Sequence, residues 1–168
     1  MTPSALLDAA SLADARASLT RCCGASRWVN GMLAQRPFGC DAALFDAAEA
    51  VWATMAPADI LEALTHHPRI GADLDELRKR YGATAQWAAG EQAGAAVADE
   101  PTLHALRDGN LRYEARFEHI FVVCATGKSA AEMLALLEAR LPNEGAAELQ
   151  LAGAEQAKIT RIRLEKLR

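Results

Sequence analysis

The chain has 168 residues and a mass of 18.0 kDa, which suits one compact domain or at most two very small ones. Hydrophobic residues make up 51% and charged residues 24%, a balance that excludes intrinsic disorder and supplies a core. Eighteen Lys and Arg against twenty-two Asp and Glu leave a net charge of −4 and a pI near 5.6, which argues against nucleic acid as the main partner.

Abundant Ala, Leu, Glu and Arg, with aromatics at only 5%, point to helices. The first helix is expected to start after Thr2-Pro3-Ser4 and run to about Leu19, and a second to run from about Cys22 to Ala34, ended by Arg36-Pro37-Phe38-Gly39. Asp41 reads as the N-cap of a third, with Leu44, Phe45, Ala48, Val51, Trp52 and Met55 at helical spacing. Pro57 opens a fourth that reaches Leu64. Then comes Thr65-His66-His67-Pro68-Arg69-Ile70-Gly71, where Pro68 pushes His67 out of the helical region at a helix exit.

Short helices are expected near residues 73–80 and 84–96, and a longer one from about Pro101 to Phe117 with Leu103, Leu106, Asn110, Tyr113 and Phe117 on one stripe. The run from Ile120 to Ala125 is the one β-like stretch; a lone strand makes no sheet, so it reads as a buried extended segment or a helix entry. Gly127 breaks it, and Ser129 with Glu132 fits a capping box for a helix to about Leu141. Asn143 is expected to cap a last helix running from Glu144 to near the C-terminus. The sum is an all-α fold: a single compact domain over residues 1–168 with roughly eight helices, several short.

No apolar run is long enough for a membrane span, and the N-terminal stretch lacks the basic-then-apolar pattern of a secretory signal. The C-terminal Glu165-Lys166-Leu167-Arg168 is not a peroxisomal signal, so a cytoplasmic location is the expectation. Cys22, Cys23, Cys40 and Cys124 form no CxxC and make no disulfide frame, and Cys124 and the Cys22-Cys23 pair read as buried small hydrophobes. His66, His67, His104 and His119 show no metal-ligand spacing, so no metal is expected. Gly127-Lys128-Ser129 has the tail of a P-loop, but Val122 stands where its first glycine belongs.

Three places carry candidate chemistry. His67 sits where a helix dipole favours the imidazolium, suiting it to acid catalysis, while burial would act the other way; the alternative is a helix-capping histidine with no chemistry. Glu91 and Gln92 stand together in a stretch of small apolar residues, where they could grip a ligand through donors and acceptors, or decorate a solvated helix turn. Arg161 falls on one stripe with Ala154, Ala157 and Leu164, so its guanidinium either meets an anion there or reaches water over a packed stem.

Several segments, in order along nearly the whole chain, resemble the 2-oxo-4-hydroxy-4-carboxy-5-ureidoimidazoline (OHCU) decarboxylase family of urate degradation. They are Cys23-Gly24-Ala25-Ser26-Arg27-Trp28, Met32 to Phe38, His66-His67-Pro68-Arg69-Ile70-Gly71, Glu91-Gln92-Ala93-Gly94, Asn110 to Phe117 with Tyr113, Glu114 and Arg116, Phe121 to Ser129, and Glu155 to Leu164. The resemblance implies an all-α homodimer that decarboxylates a small ureide without cofactor, giving (S)-allantoin and carbon dioxide. It implies His67 and Glu91 as catalytic residues, and Pro68, Gln92, the backbone of Phe121, Val122, Val123, Cys124 and Ala125, and Arg161 as substrate contacts. Ala88 stands at a substrate-contact position where the family often has Ser, and Glu118 where it often has Gly, the latter bearing on the turn into Ile120.

On this reading the C=N beside the carbon that loses the carboxylate accepts the electrons, which removes the need for pyridoxal, thiamine or metal, and His67 protonates the neighbouring carbon. Other readings are a non-catalytic helical binding module that keeps the fold, which needs no convergence of His67, Glu91 and Arg161, and a lyase for a related ureide.

Overall fold

A computed structural model describes residues 1–69, 71–82 and 98–168. Among these lie nine α-helices: α1 Pro3–Ala9, α2 Leu12–Cys22, α3 Ser26–Ala34, α4 Asp41–Trp52, α5 Pro57–Thr65, α6 Leu74–Tyr81, α7 Glu100–Phe117, α8 Ala130–Arg140 and α9 Gly145–Glu165. The described residues contain no strand, so the fold is all-α. The helix expected over residues 84–96 lies outside the described residues, as do Ala88, Glu91 and Gln92.

The chain divides into two compact units, Met1–His67 with Leu149–Arg168, and Pro68–Glu148. The first is built on Leu7, Leu19, Trp28, Met32, Leu44 and Leu164, with Phe45, Val51, Trp52 and Met55 packed against them. That core draws on the α4 stripe read from the sequence. The second is built on Leu77, Leu103, Leu106, Tyr113, Ala130 and Leu137. Here too the α7 stripe is buried as its spacing predicts, with Phe117 packed against it.

Four boundaries differ from expectation. The first helix is two helices, because Ser11 accepts the Asp14 N–H (3.1 Å) and starts α2 afresh. The next begins at Ser26, since Cys23 and Ala25 are extended on either side of Gly24. A Cβ on Gly24 would stand 2.2 Å from the His66 Cγ, so only glycine lets that strip pass so close. Asp41 is the first residue of α4 and not its cap; its carboxylate accepts from the Ser4 N–H (2.9 Å) and hydroxyl (2.6 Å), tying α1 to α4. Asn143 does not cap α9 by accepting a hydrogen bond. Its side-chain N–H donates to Glu148 (3.0 Å).

Elsewhere the local signals act as written. Ser129 and Glu132 close a reciprocal capping box, with bonds of 2.7 and 3.2 Å. Asp99 caps α7 by accepting the Thr102 N–H (2.8 Å). Residues 120–125 belong to neither a helix nor a strand, and Gly127 turns the chain at φ 75°. Among the described residues, no helix is long and apolar enough to cross a membrane.

Candidate active site

His67 owes its place to a helix that must stop. Pro57 occupies the first turn of α5, and Asp59 reaches back to accept the Ala56 N–H (2.8 Å). At the other end Pro68 cannot continue the helix. The last bonds tighten to i→i+3, with the His66 and His67 N–H groups donating to Ala63 (3.3 Å) and Leu64 (3.2 Å). His66 is exposed and His67 half-buried, so the two neighbours face different surroundings.

The His67 ring meets α9. Its Nε2 is hydrogen-bonded to the Oε1 of Gln156, a side chain with no solvent exposure. The Gln156 Nε2–H donates in turn to the Thr160 hydroxyl oxygen (3.0 Å), which fixes which end of the amide faces the histidine. Burial pushes the Cys23 thiol up, and that of Cys22 to about 11, consistent with buried small hydrophobes and not with nucleophiles.

Burial also sets the charge of His67. It lowers the imidazole below its ordinary value, the Gln156 bond partly opposes this, and the Arg163 and His66 charges add to the lowering. The sequence left dipole and burial in balance; the fold resolves the sum toward a neutral ring.

Arg161 is placed differently. Its Nε donates to Glu165 (2.6 Å), its Nη1 stands 3.8 Å from Glu49, and its guanidinium lies 3.7 Å over the Phe45 ring. Its side chain is 43% exposed and Ala154 is exposed too, while Leu164 is buried, so the expected stripe runs from solvent into the first core and Arg161 stands on its exposed part. The cleft beside it encloses ≈ 20 Å³, room for about one water and not for a ureide. Arg161 is five residues from Gln156, about 140° around the helix, so the structure does not bring it to His67.

Arg163 is the cation on the His67 side. It follows Gln156 by seven residues, on the same helical face, and its Nη1 donates to the Cys22 carbonyl (3.3 Å) at the end of α2. Gln156, Thr160 and Arg163 were not singled out from the sequence. Their signal was a polar i, i+4, i+7 stripe on α9, of which Gln156 and Thr160 are buried.

In the second unit, residues 121–125 form no helix or strand, and Val122 and Val123 are buried. Their carbonyls are held from within: Arg140 donates to Val122 (2.9 Å) and covers the Phe121 ring at 4.7 Å, and the Lys128 side chain donates to Cys124 (2.8 Å). The Lys128 N–H donates to Ala125 (3.0 Å). Among the described residues their five N–H groups have no acceptor, which leaves a row of backbone donors. Arg140 is itself anchored by Glu148, a fully buried carboxylate that accepts from the Arg140 Nε (2.7 Å), Asn143 and the Tyr113 hydroxyl. Pro68 is exposed. Among the described residues, no three His, Cys, Asp or Glu side chains are grouped to hold a metal ion.

The chain matches the family model for OHCU decarboxylase over residues 8–165. It is 33% identical over 148 residues to the uric acid degradation bifunctional protein TTL of Arabidopsis thaliana, covering 87% of this chain and 45% of that protein. It is 38% identical over 102 residues to a 2-oxo-4-hydroxy-4-carboxy-5-ureidoimidazoline decarboxylase of Amia calva, covering 59% of this chain and 55% of that protein. The chain thus spans about half the length of the curated relatives it matches.

A crystal structure of OHCU decarboxylase in the presence of (S)-allantoin superposes with a TM-score of 0.70 at 30% identity, over 88% of this chain and 94% of that one. A crystal structure of (S)-allantoin synthase shares the fold, with a TM-score of 0.70 at 16% identity, over 98% of this chain and 53% of that one. A family match spanning 158 consecutive residues (165 − 8 + 1) leaves only the two ends of the sequence outside it, and on that ground the chain belongs to the OHCU decarboxylase family.

Proposed function

We propose that this chain converts 2-oxo-4-hydroxy-4-carboxy-5-ureidoimidazoline to (S)-allantoin and carbon dioxide as a cofactor-free carboxy-lyase of urate breakdown. The observation that carries the reading is the family match over residues 8–165, joined by the likeness to a decarboxylase solved with (S)-allantoin. Residues 1–168 act in it as one catalytic domain, and a homodimer and a cytoplasmic location belong to the same proposal.

The chemistry needs no external electron sink. The carboxylate leaves from a carbon next to a C=N bond, whose nitrogen takes up the electron pair. What a protein must add is a proton delivered to one face of the neighbouring carbon, and that delivery sets the handedness of the product. His67 supplies it. Half-buried and neutral at rest, it takes a proton before it gives one. The N–H row at Phe121, Val122, Val123, Cys124 and Ala125 suits the carbonyl edges of a ureide, with Pro68 lining the same ligand.

Glu91 orients the hydroxyl and ureido groups and Gln92 bonds the ureide edge, roles that the family resemblance carries, with Ala88 removing one hydroxyl contact. The same resemblance gives Arg161 the anionic part of the substrate.

The test generates the unstable substrate in place with urate oxidase and hydroxyisourate hydrolase, and follows chiral allantoin by circular dichroism. The wild type should produce (S)-allantoin faster than the uncatalysed decay. His67→Ala should lose rate on the order of 10²–10⁴-fold. A wild type that leaves the product racemic would sink the reading, and a His67→Ala variant at full rate would remove His67 from it.

A further inference from the structure

The bond between His67 and α9 does more than hold a ring in place. A neutral imidazole carries one proton, and which nitrogen holds it depends on the partner of the other. Here the partner is a carboxamide, which offers an acceptor at one end and donors at the other. The Gln156 Nε2–H is committed to Thr160, and its Oε1 is the end that faces the histidine. The amide therefore has only its carbonyl to offer the histidine. A carbonyl requires an N–H, so the Nε2 of His67 carries the proton and Nδ1 carries the lone pair. Gln156 is fully buried and Thr160 is 5% exposed, so water does not compete for the array. Among the described residues Nδ1 has no hydrogen-bond partner.

We propose that Gln156 is a positioning residue for the decarboxylation, holding His67 as the Nε2–H tautomer so that Nδ1 is the atom that moves the proton. The inference rests on the decarboxylase reading above. In the balanced reaction the C–C bond to the carboxylate breaks, carbon dioxide leaves, and its electron pair passes into the C=N, whose nitrogen takes one proton from solvent. The substrate hydroxyl loses its proton to Nδ1 as its carbon becomes a carbonyl. Nδ1 then returns that proton to the adjacent carbon, and the ring is neutral again. One nitrogen serves both transfers, and Gln156 keeps the other occupied throughout. Arg163 and His66 are the charged or titratable side chains acting on the ring.

The experiment reads tautomer and rate separately. Two-bond 15N–1H spectra of protein labelled at the histidine nitrogens, with His67 assigned by its loss in His67→Asn, should show the Nε2–H form in the wild type above pH 7. In Gln156→Leu the ring should become a mixture of tautomers, kcat/KM should fall by at least about tenfold, and the acid limb of its pH profile should move lower, since the bond that favours the cation is gone. Gln156→Glu should move that limb upward by placing a carboxylate on Nε2–H. Thr160→Val, which frees the amide to rotate without emptying the site, should mix the tautomers while helical circular dichroism stays unchanged.

An Nδ1–H tautomer in the wild type overturns the inference with no variant needed. So does Gln156→Leu with an unchanged tautomer and an unchanged acid limb. A wild type without decarboxylase activity overturns the functional reading, and the proton-transfer role with it, whatever tautomer the spectra show.

Discussion

At His67 two effects oppose each other. The exit of α5 puts the ring near the negative end of a helix dipole, which favours the cation by about 0.3–1 kcal/mol. One pH unit of titration corresponds to about 1.4 kcal/mol, so the dipole alone moves the group by less than that. Burial is the largest influence on the ring and acts against the charge. A histidine whose folded value is depressed binds fewer protons when folded than when unfolded. It therefore adds stability that is fully present above pH 6.5 and is lost as pH falls through the lowered folded value. Urea midpoints for the wild type should drop between pH 7.5 and pH 5 by more than those of His67→Asn. Parallel curves for the two proteins would mean that the ring titrates alike in both states.

Glu118 shows what one element tolerates. It ends α7 in the left-handed region at φ 60° and ψ 23°, with its N–H donating to Glu114 (2.9 Å). A Cβ makes this conformation cost about 1–2 kcal/mol, which glycine avoids. The turn into Ile120 thus keeps a glycine-like shape with a glutamate in it. Glu118→Gly should raise the thermal midpoint by a few degrees, as a gain of about 1 kcal/mol implies for a chain of this length. A lowered midpoint in a calorimetric scan would show that the glutamate side chain is worth more than the turn costs. Elements with such local signatures were legible in the sequence: Pro57, the Ser129–Glu132 box, and the stripes of α4 and α7. The breaks at Ser11 and at 23–25 were not. At Ser11 alanine-rich periodicity runs through on both sides and a single hydroxyl decides. At 23–25 the cause is the approach of His66 to Gly24, which no local pattern contains.

Across the whole molecule the candidate site shows the same division between near and far. His67 was legible because Pro68 adjoins it; its partner Gln156 lies 89 residues away and was legible only as part of a polar stripe. Arg161 drew attention through spacing, and the fold lays its half-exposed guanidinium over the Phe45 ring beside Glu165. The two hydrophobic cores draw on different residues, one within Met1–His67 with Leu149–Arg168 and the other within Pro68–Glu148. The second contains the costliest buried charges described: Glu148 at 0% exposure, held by Arg140, Tyr113 and Asn143. Removing one partner of such a pair strands the other, at a cost of about 3–5 kcal/mol. In Glu148→Ala the Arg140 cation would be left between Tyr113 and Phe121 with the Val122 carbonyl as its remaining bond. Hydrogen exchange followed by mass spectrometry should then show protection lost first in peptides from α7 and α8, and in the 121–125 row that Arg140 supports, while α2 and α3 keep theirs. Glu148→Gln, which can still accept from Tyr113, should lose less. An equal loss in peptides from both units would show that the two cores unfold as one cooperative body, and the separation of their side chains would then carry no energetic meaning.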